Sequence, residues 1–148
     1  MKRDLVLDID DIILNIRVGI IFKYKDKVLI EIRKDRKGNS VIPGGRIRIG
    51  EKSIDAIKRE IMEEMDILLV DDKIIYKKTM ENFFTFDGKK CHEIFFIYEY
   101  TVDEDDYQTL VKVKENQDNK TTEYIFINYD QFDEVDLLPL EIRNIIKE

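Results

Sequence analysis

Residues 41–67 read VIPGGRIRIGEKSIDAIKREIMEEMDI. Within this stretch Ile54, Ile57, Ile61 and Met65 recur at three- and four-residue steps. That spacing places them on one stripe and predicts a helix over Ser53–Met65 lying against a core. At roughly 100° per residue on a helix, Glu60, Glu63 and Glu64 project into one adjoining sector. An acidic face therefore borders the buried one. Ser53 is the expected N-cap, and Asp55 sits where the positive end of the helix dipole favours an anion.

Like charges at i,i+4, here Glu60 and Glu64, cost an isolated helix about 0.2–0.5 kcal/mol. Ala56, one turn earlier in the same sector, is expected to leave room for something to approach. A solvated acidic face is the plain alternative. Clustered carboxylate oxygens are otherwise relieved by a hard divalent cation such as Mg²⁺ or Mn²⁺.

Upstream, Pro43, Gly44 and Gly45 are expected to form a turn. A short basic segment, Gly50 and Glu51 follow, feeding a helix N-terminus whose free N–H groups suit phosphate. With these residues in place, the stretch resembles the Nudix box, the loop–helix–loop signature G-x5-E-x7-R-E-U-x-E-E-x-G-U with U apolar. Gly45, Glu51, Arg59, Glu60, Ile61, Glu63, Glu64 and Ile67 stand on motif positions. Asp66 stands where the family has glycine. Glycine there ends the helix in a left-handed conformation, so Asp66 is expected to cost about 1 kcal/mol while leaving the chemistry in place.

The resemblance implies an α/β/α sandwich with a mixed β-sheet. It also implies hydrolysis of a nucleoside diphosphate linked to another group X, by metal-assisted attack of water on phosphorus. By the same resemblance Glu60, Glu63 and Glu64 bind Mg²⁺, with Mn²⁺ as a substitute. Arg59 orients a glutamate, Glu51 supports the metal or its water shell, and Glu60 is the first choice of general base. Gly44 and Gly45 shape the loop beneath the substrate. Arg33 matches a position where MutT-type members carry a phosphate-contacting arginine, while Arg46 and Arg48 flank the loop. A further acidic ligand is expected from a later segment, with Glu115 and Asp118 as candidates. Phe83, Phe84 and Phe86 are candidates to stack a base, packing being the other reading. The terminal LLPLEIRN has no clear counterpart of the asparagine by which MutT-type members read an oxidised guanine. A catalytically weak nucleotide-binding or sensing module is the alternative function.

The remaining composition agrees. A chain of 148 residues with 43% hydrophobic side chains is of one-domain size; residues 1–148 are read as one domain, with 1–16 as an extra strand or N-terminal arm. A net charge of −7 and a pI near 4.9 argue against nucleic acid or an anionic membrane as partner. The partner expected is a small-molecule nucleotide, with monomer and homodimer both open. No apolar run approaches the ~20 residues of a membrane span, and MKRDLVLDIDD is too acidic for a signal peptide, so a cytoplasmic protein is expected. Cys91 has no second cysteine to pair with. His92, next to it on a strand, would point to the opposite face, which disfavours Cys–His catalysis.

Strands are predicted at 17–24 and 27–33 around a Lys25-Asp26 hairpin turn. A second hairpin is predicted from 74–86 and 92–102 around Asp87-Gly88 with a slightly longer loop. EIFFIYEY, apolar at successive positions, reads as a central strand covered on both faces. A strand at 124–128 and a helix at 140–147 complete the pattern, and 104–122 is expected to be irregular.

Overall fold

The computed structural model describes residues 3–36 and 39–148. In chain order its elements are β1 (Val6–Ile9), β2 (Ile12–Tyr24), β3 (Lys27–Arg33), β4 (Ser40–Val41), β5 (Gly44–Arg46), α1 (Ser53–Met65), β6 (Ile74–Phe86), β7 (Lys89–Thr101), α2 (Glu104–Leu110), β8 (Thr122–Asn128) and α3 (Glu141–Lys147). All eight strands belong to one mixed sheet. β2 is its axis: β7 runs parallel to it along one edge from Ile12↔Lys90 to Lys23↔Thr101. The other edge is shared by β1, β5 and β3, each antiparallel to a different part of β2.

Two cores result from the alternation of side chains along these strands. Val18, Ile20 and Phe22 of β2 pack with Tyr98 and Tyr100 of β7 against Ile57, Ile61 and Met65 of α1. On the opposite face Ile21, Phe95 and Ile97 meet Ile142, Ile145 and Ile146 of α3. The sheet is thus sandwiched between helices, and β7, the EIFFIYEY strand, is covered on both faces as its composition implies.

Several local expectations change. Pro43–Gly45 makes no turn: Gly44–Arg46 is a strand, because a chain without side chains can lie against β2 where a β-carbon on Gly44 would stand 2.0 Å from the Val18 carbonyl oxygen. Lys52, not Ser53, occupies the N-cap of α1; the Ser53 hydroxyl instead lies 2.6 Å from the Tyr98 hydroxyl. Ala56 is fully buried beneath α1 rather than leaving space among the carboxylates. The 104–122 segment contains α2, opened by a capping box in which Asp103 and Asp106 each accept from the other's backbone N–H,. The β6–β7 hairpin closes in two residues, Asp87 and Gly88, both at positive φ, the backbone of a type I′ turn. Asp66 takes the left-handed conformation required at the end of α1, with φ 57° and ψ 41° and its N–H donated to the Met62 carbonyl.

Candidate active site

Two sides of α1 carry different chemistry. On the side facing the incoming loop, Arg59 is the hub. Its Nε donates to Glu51 Oε2 at 2.7 Å and its Nη2 to Glu51 Oε1 at 2.9 Å, a two-point grip,. Nη2 also donates to the Arg46 carbonyl at 3.0 Å, and Nη1 to Glu60 at 2.9 Å and Glu63 at 3.3 Å. The Arg48 backbone N–H closes the loop onto Glu51 Oε1 at 3.0 Å. Arg59 holds the Glu51 carboxyl below the usual carboxylate range, and Glu51 in turn is the main cause of a raised Arg59 pKa. One guanidinium therefore fixes the loop, the start of the acidic face and the backbone beside Gly45.

Gly45 is the floor of this arrangement. A β-carbon there would fall 2.3 Å from Glu60 Cδ, so the absence of a side chain lets the Glu60 carboxyl lie directly on β5.

On the other side of α1 the half-buried Glu64 meets the buried Glu31. Glu64 shares the hydroxyl of Tyr124 with Glu31 of β3, at 3.2 and 3.3 Å, and Asn116 Nδ2 donates to the same hydroxyl at 3.0 Å. Arg33 Nε stands 3.2 Å from the other oxygen of Glu31. Burial raises the Glu64 pKa first, followed by the Glu31 charge and the neighbouring Glu60 carboxyl. Burial likewise raises Glu31, against the opposing pull of Arg33 and Arg17. Tyr124 is raised by burial and by both acids.

These oxygens fit a hard divalent cation by their chemistry: three carboxylates, Glu31, Glu60 and Glu64, gather together, and burial disfavours the charged form of Glu31 and Glu64,. Among the described residues no group of three or more acidic, histidine or cysteine side chains is placed to hold a metal ion. Glu63 is turned to the arginines, 3.3 Å from Arg59 and 3.8 Å from Arg48, with its side chain 39% exposed. The segment carrying Glu115 and Asp118 reaches α1 through the Gln117 N–H, which donates to the Glu64 carbonyl at 2.9 Å; the side chain that touches the cluster is Tyr124.

A cleft of about 990 Å³ is lined by Arg17, Arg33 and Arg46, and Arg33 is the residue through which it meets the cluster, by its bond to Glu31. Of the aromatic candidates, Phe84 and Phe86 line the cleft, whereas Phe83 packs on His92 at 4.5 Å between ring centroids. Cys91 lines the cleft and His92 sits with Glu81 and Phe83, so the two neighbours diverge as strand geometry requires. Arg48 bonds toward Asp4 and Glu63 instead. Sequence reading missed Glu31, Tyr124, Arg17, Asn15 and Glu93. The available signal was a polar or charged residue at an inward strand position, such as the glutamate inside VLIEIR.

The family model described as the NUDIX domain matches residues 14–148. Among solved structures, the chain is similar to the Mutator MutT protein from Bacillus halodurans, with a TM-score of 0.63 and 22% identity, over 90% of this chain and 80% of that one. A NUDIX hydrolase from Nitrosomonas europaea matches with a TM-score of 0.63 and 17% identity, over 90% and 86% of the two chains. The Ap4A hydrolase of C. elegans matches with a TM-score of 0.57 and 16% identity, over 92% and 94%. At these identities the likeness to solved structures is one of fold. No curated protein sequence matches the chain.

Proposed function

Because the chain belongs to the NUDIX domain family and is a pyrophosphohydrolase of that family, we propose that it uses Mg²⁺, with Mn²⁺ as a substitute, to cleave the diphosphate bond of a nucleoside diphosphate linked to a group X. The observation that carries this reading is the meeting of Glu31, Glu60 and Glu64, joined through the Glu31–Arg33 pair to a cleft that Arg17, Arg33 and Arg46 line. Glu60, Glu63 and Glu64 would hold the cation, with Glu31 beside Glu64. When bound, the cation neutralises phosphate oxygen charge and acidifies water.

The chain's own residues do the rest. Arg59 keeps Glu51, Glu60 and the Gly45 strand in one fixed relation, so no reorganisation is needed at the moment of reaction. Arg33 and Arg46 take phosphate oxygens from the cleft side. Glu60 accepts the proton of the attacking water as its oxygen bonds to phosphorus and the bond to the bridging oxygen breaks. The whole of 1–148 serves as one catalytic domain. No helix among the described residues is long and apolar enough to cross a membrane, and the acidic net charge of −7 supports free nucleotides rather than nucleic acid as substrate.

The test is release of phosphate, pyrophosphate or nucleoside monophosphate from nucleoside triphosphates, nucleotide sugars, ADP-ribose and dinucleoside polyphosphates, with Mg²⁺, Mn²⁺ or chelator. Metal-dependent release that disappears in Glu64→Gln and falls in Glu63→Gln is expected. A folded protein that binds one of these nucleotides and releases nothing would favour the sensing module.

A further inference from the structure

Beyond the arginines, the cleft has a second polar feature that phosphate chemistry does not use. Asn15 of β2 and Glu93 of β7 are register partners, both line the cleft, and each is only 7% exposed. Asn15 Nδ2 donates to Glu93 Oε2 at 3.1 Å. A carboxylate only accepts, so this bond fixes the orientation of the amide and turns Oδ1 away from Glu93. Asn15 Oδ1 is buried and has no hydrogen-bond donor. A buried carbonyl oxygen without a donor is destabilising, so its place in a cleft wall points to a donor supplied from outside the chain.

Arg17 stands one strand step along the same face, its Nε 3.8 Å from Glu93 Oε2, and pairs in register with Arg46 across β2 and β5. The cleft floor therefore runs from the guanidinium groups to two acceptors further along, Asn15 on β2 and Glu93 on β7. Asn82 and Phe84 of β6 complete the wall at that end, where Asn82 is the register partner of Glu93.

We infer that Asn15 and Glu93 form a specificity site for the part of the substrate beyond its phosphates, and that this site takes a neutral group bearing two adjacent hydrogen-bond donors, with Arg17 anchoring the neighbouring phosphate. This rests on the nucleotide reading above. Two pieces of a nucleotide carry such a donor pair: the N1–H and 2-amino edge of guanine, and the vicinal hydroxyls of ribose. A site built to accept hydrogen bonds, with the Asn15 carbonyl oxygen left unpaired, rejects the analogue lacking a donor far more strongly than an apolar pocket rejects a missing methylene.

Equilibrium binding by calorimetry, with chelator present so that nothing turns over, separates these sources. GDP is compared with IDP, which lacks the 2-amino group, and GDP, ADP, CDP and UDP are each compared with their 2′-deoxy forms. Wild type is expected to lose at least tenfold in affinity in one of these comparisons, and Asn15→Ala or Glu93→Gln to erase the difference. The wild-type comparison needs no variant, and melting temperatures identify which variant has kept its fold. Losses under tenfold in every pair, a difference that persists in both folded variants, or no binding of any of these diphosphates would overturn the inference. Parallel hydrolysis with Mg²⁺ distinguishes the two readings. Turnover without donor selectivity removes only the specificity site; selective binding without turnover removes only the catalytic reading.

Discussion

Arg59 grips both oxygens of Glu51, at 2.7 and 2.9 Å, from the middle of α1 to the loop that precedes it. The same guanidinium touches Glu60, Glu63 and the Arg46 carbonyl, so it sets the loop and the acidic face at once. Lysine carries the charge but not the planar fork. Arg59→Lys is expected to lower kcat about thirtyfold, in the range seen when supports of metal ligands are removed, with a smaller change in KM. Steady-state kinetics check this; an unchanged kcat would show that the loop holds its place without the fork.

The pH dependence of stability follows from the same pair. Glu51 is held below its ordinary pKa of 4.5, first by Arg59 and then by the Arg48 backbone N–H. For a carboxyl depressed in the folded state, the stabilisation is fully present above the unfolded pKa and is lost as pH falls through the folded one. Chemical denaturation of wild type should therefore weaken below pH 4.5. Glu51→Gln, lacking the titration and about 2 kcal/mol of charge-assisted bonding at neutral pH, should give a flatter acid limb. A parallel decline in both proteins would place the acid sensitivity elsewhere.

How much of this was legible depended on whether the partner was local. The span of α1, its apolar stripe and the motif carboxylates follow from spacing within a few turns, and the left-handed Asp66 follows from the position a glycine usually takes. The reading failed where a residue answered to something distant. Gly44 and Gly45 looked like turn residues, yet they are strand residues because β2 on one side and the Glu60 carboxyl on the other leave no space for a β-carbon. Ser53 looked like a cap until Tyr98 of β7 took its hydroxyl. Glu31 stood out only as a lone charge in an apolar strand, since its meeting with Glu64 through Tyr124 is created by the fold.

The two adjacent glycines should separate activity from stability. At Gly45 a new β-carbon meets the far end of the Glu60 side chain, which can move, at 2.3 Å; at Gly44 it meets the backbone oxygen of Val18 at 2.0 Å, which cannot move without shifting β2. Gly45→Ala is expected to lose most of kcat with a nearly unchanged melting temperature. Gly44→Ala is expected to cost about 3 kcal/mol or more through overpacking. Denaturant titration alongside kinetics reads both; equal stability losses would remove the distinction.

Asp66 can be improved. It holds φ 57° at the end of α1, a conformation glycine adopts without a side-chain penalty, and its charge sits at the negative end of the helix. Asp66→Gly should stabilise the protein by about 1 kcal/mol, or roughly 2–4 °C in melting temperature, and leave kcat within about twofold given that the carboxylates do not depend on it. A fall in melting temperature would mean that the Asp66 side chain contributes a bond that outweighs the strain.

Glu31 gives a prediction that opposes stability to function. Burial raises both Glu31 and Glu64 above the usual 4.5, and the neighbouring acids Glu31 and Glu60 add to the rise of Glu64, so folding without metal takes up protons. For an acid raised in the folded state, stability falls as pH rises from the unfolded pKa toward the folded one, and by pH 7 the metal-free protein carries that cost. Glu31→Gln removes the charge and keeps its one carbonyl oxygen for Arg33, while its amide N–H faces the Tyr124 hydroxyl, whose proton then goes to Glu64,. It should raise the metal-free melting temperature at pH 7 by a few degrees, equivalent to about 1 kcal/mol. Because the same charge assists cation binding, the variant should need about tenfold more Mg²⁺ for half-maximal activity and gain less thermal stability from saturating Mg²⁺ than wild type does. Melting curves with and without metal, followed by an Mg²⁺ titration of activity, measure both signs; a variant less stable without metal, or with an unaltered Mg²⁺ requirement, would remove Glu31 from the cation-binding cluster.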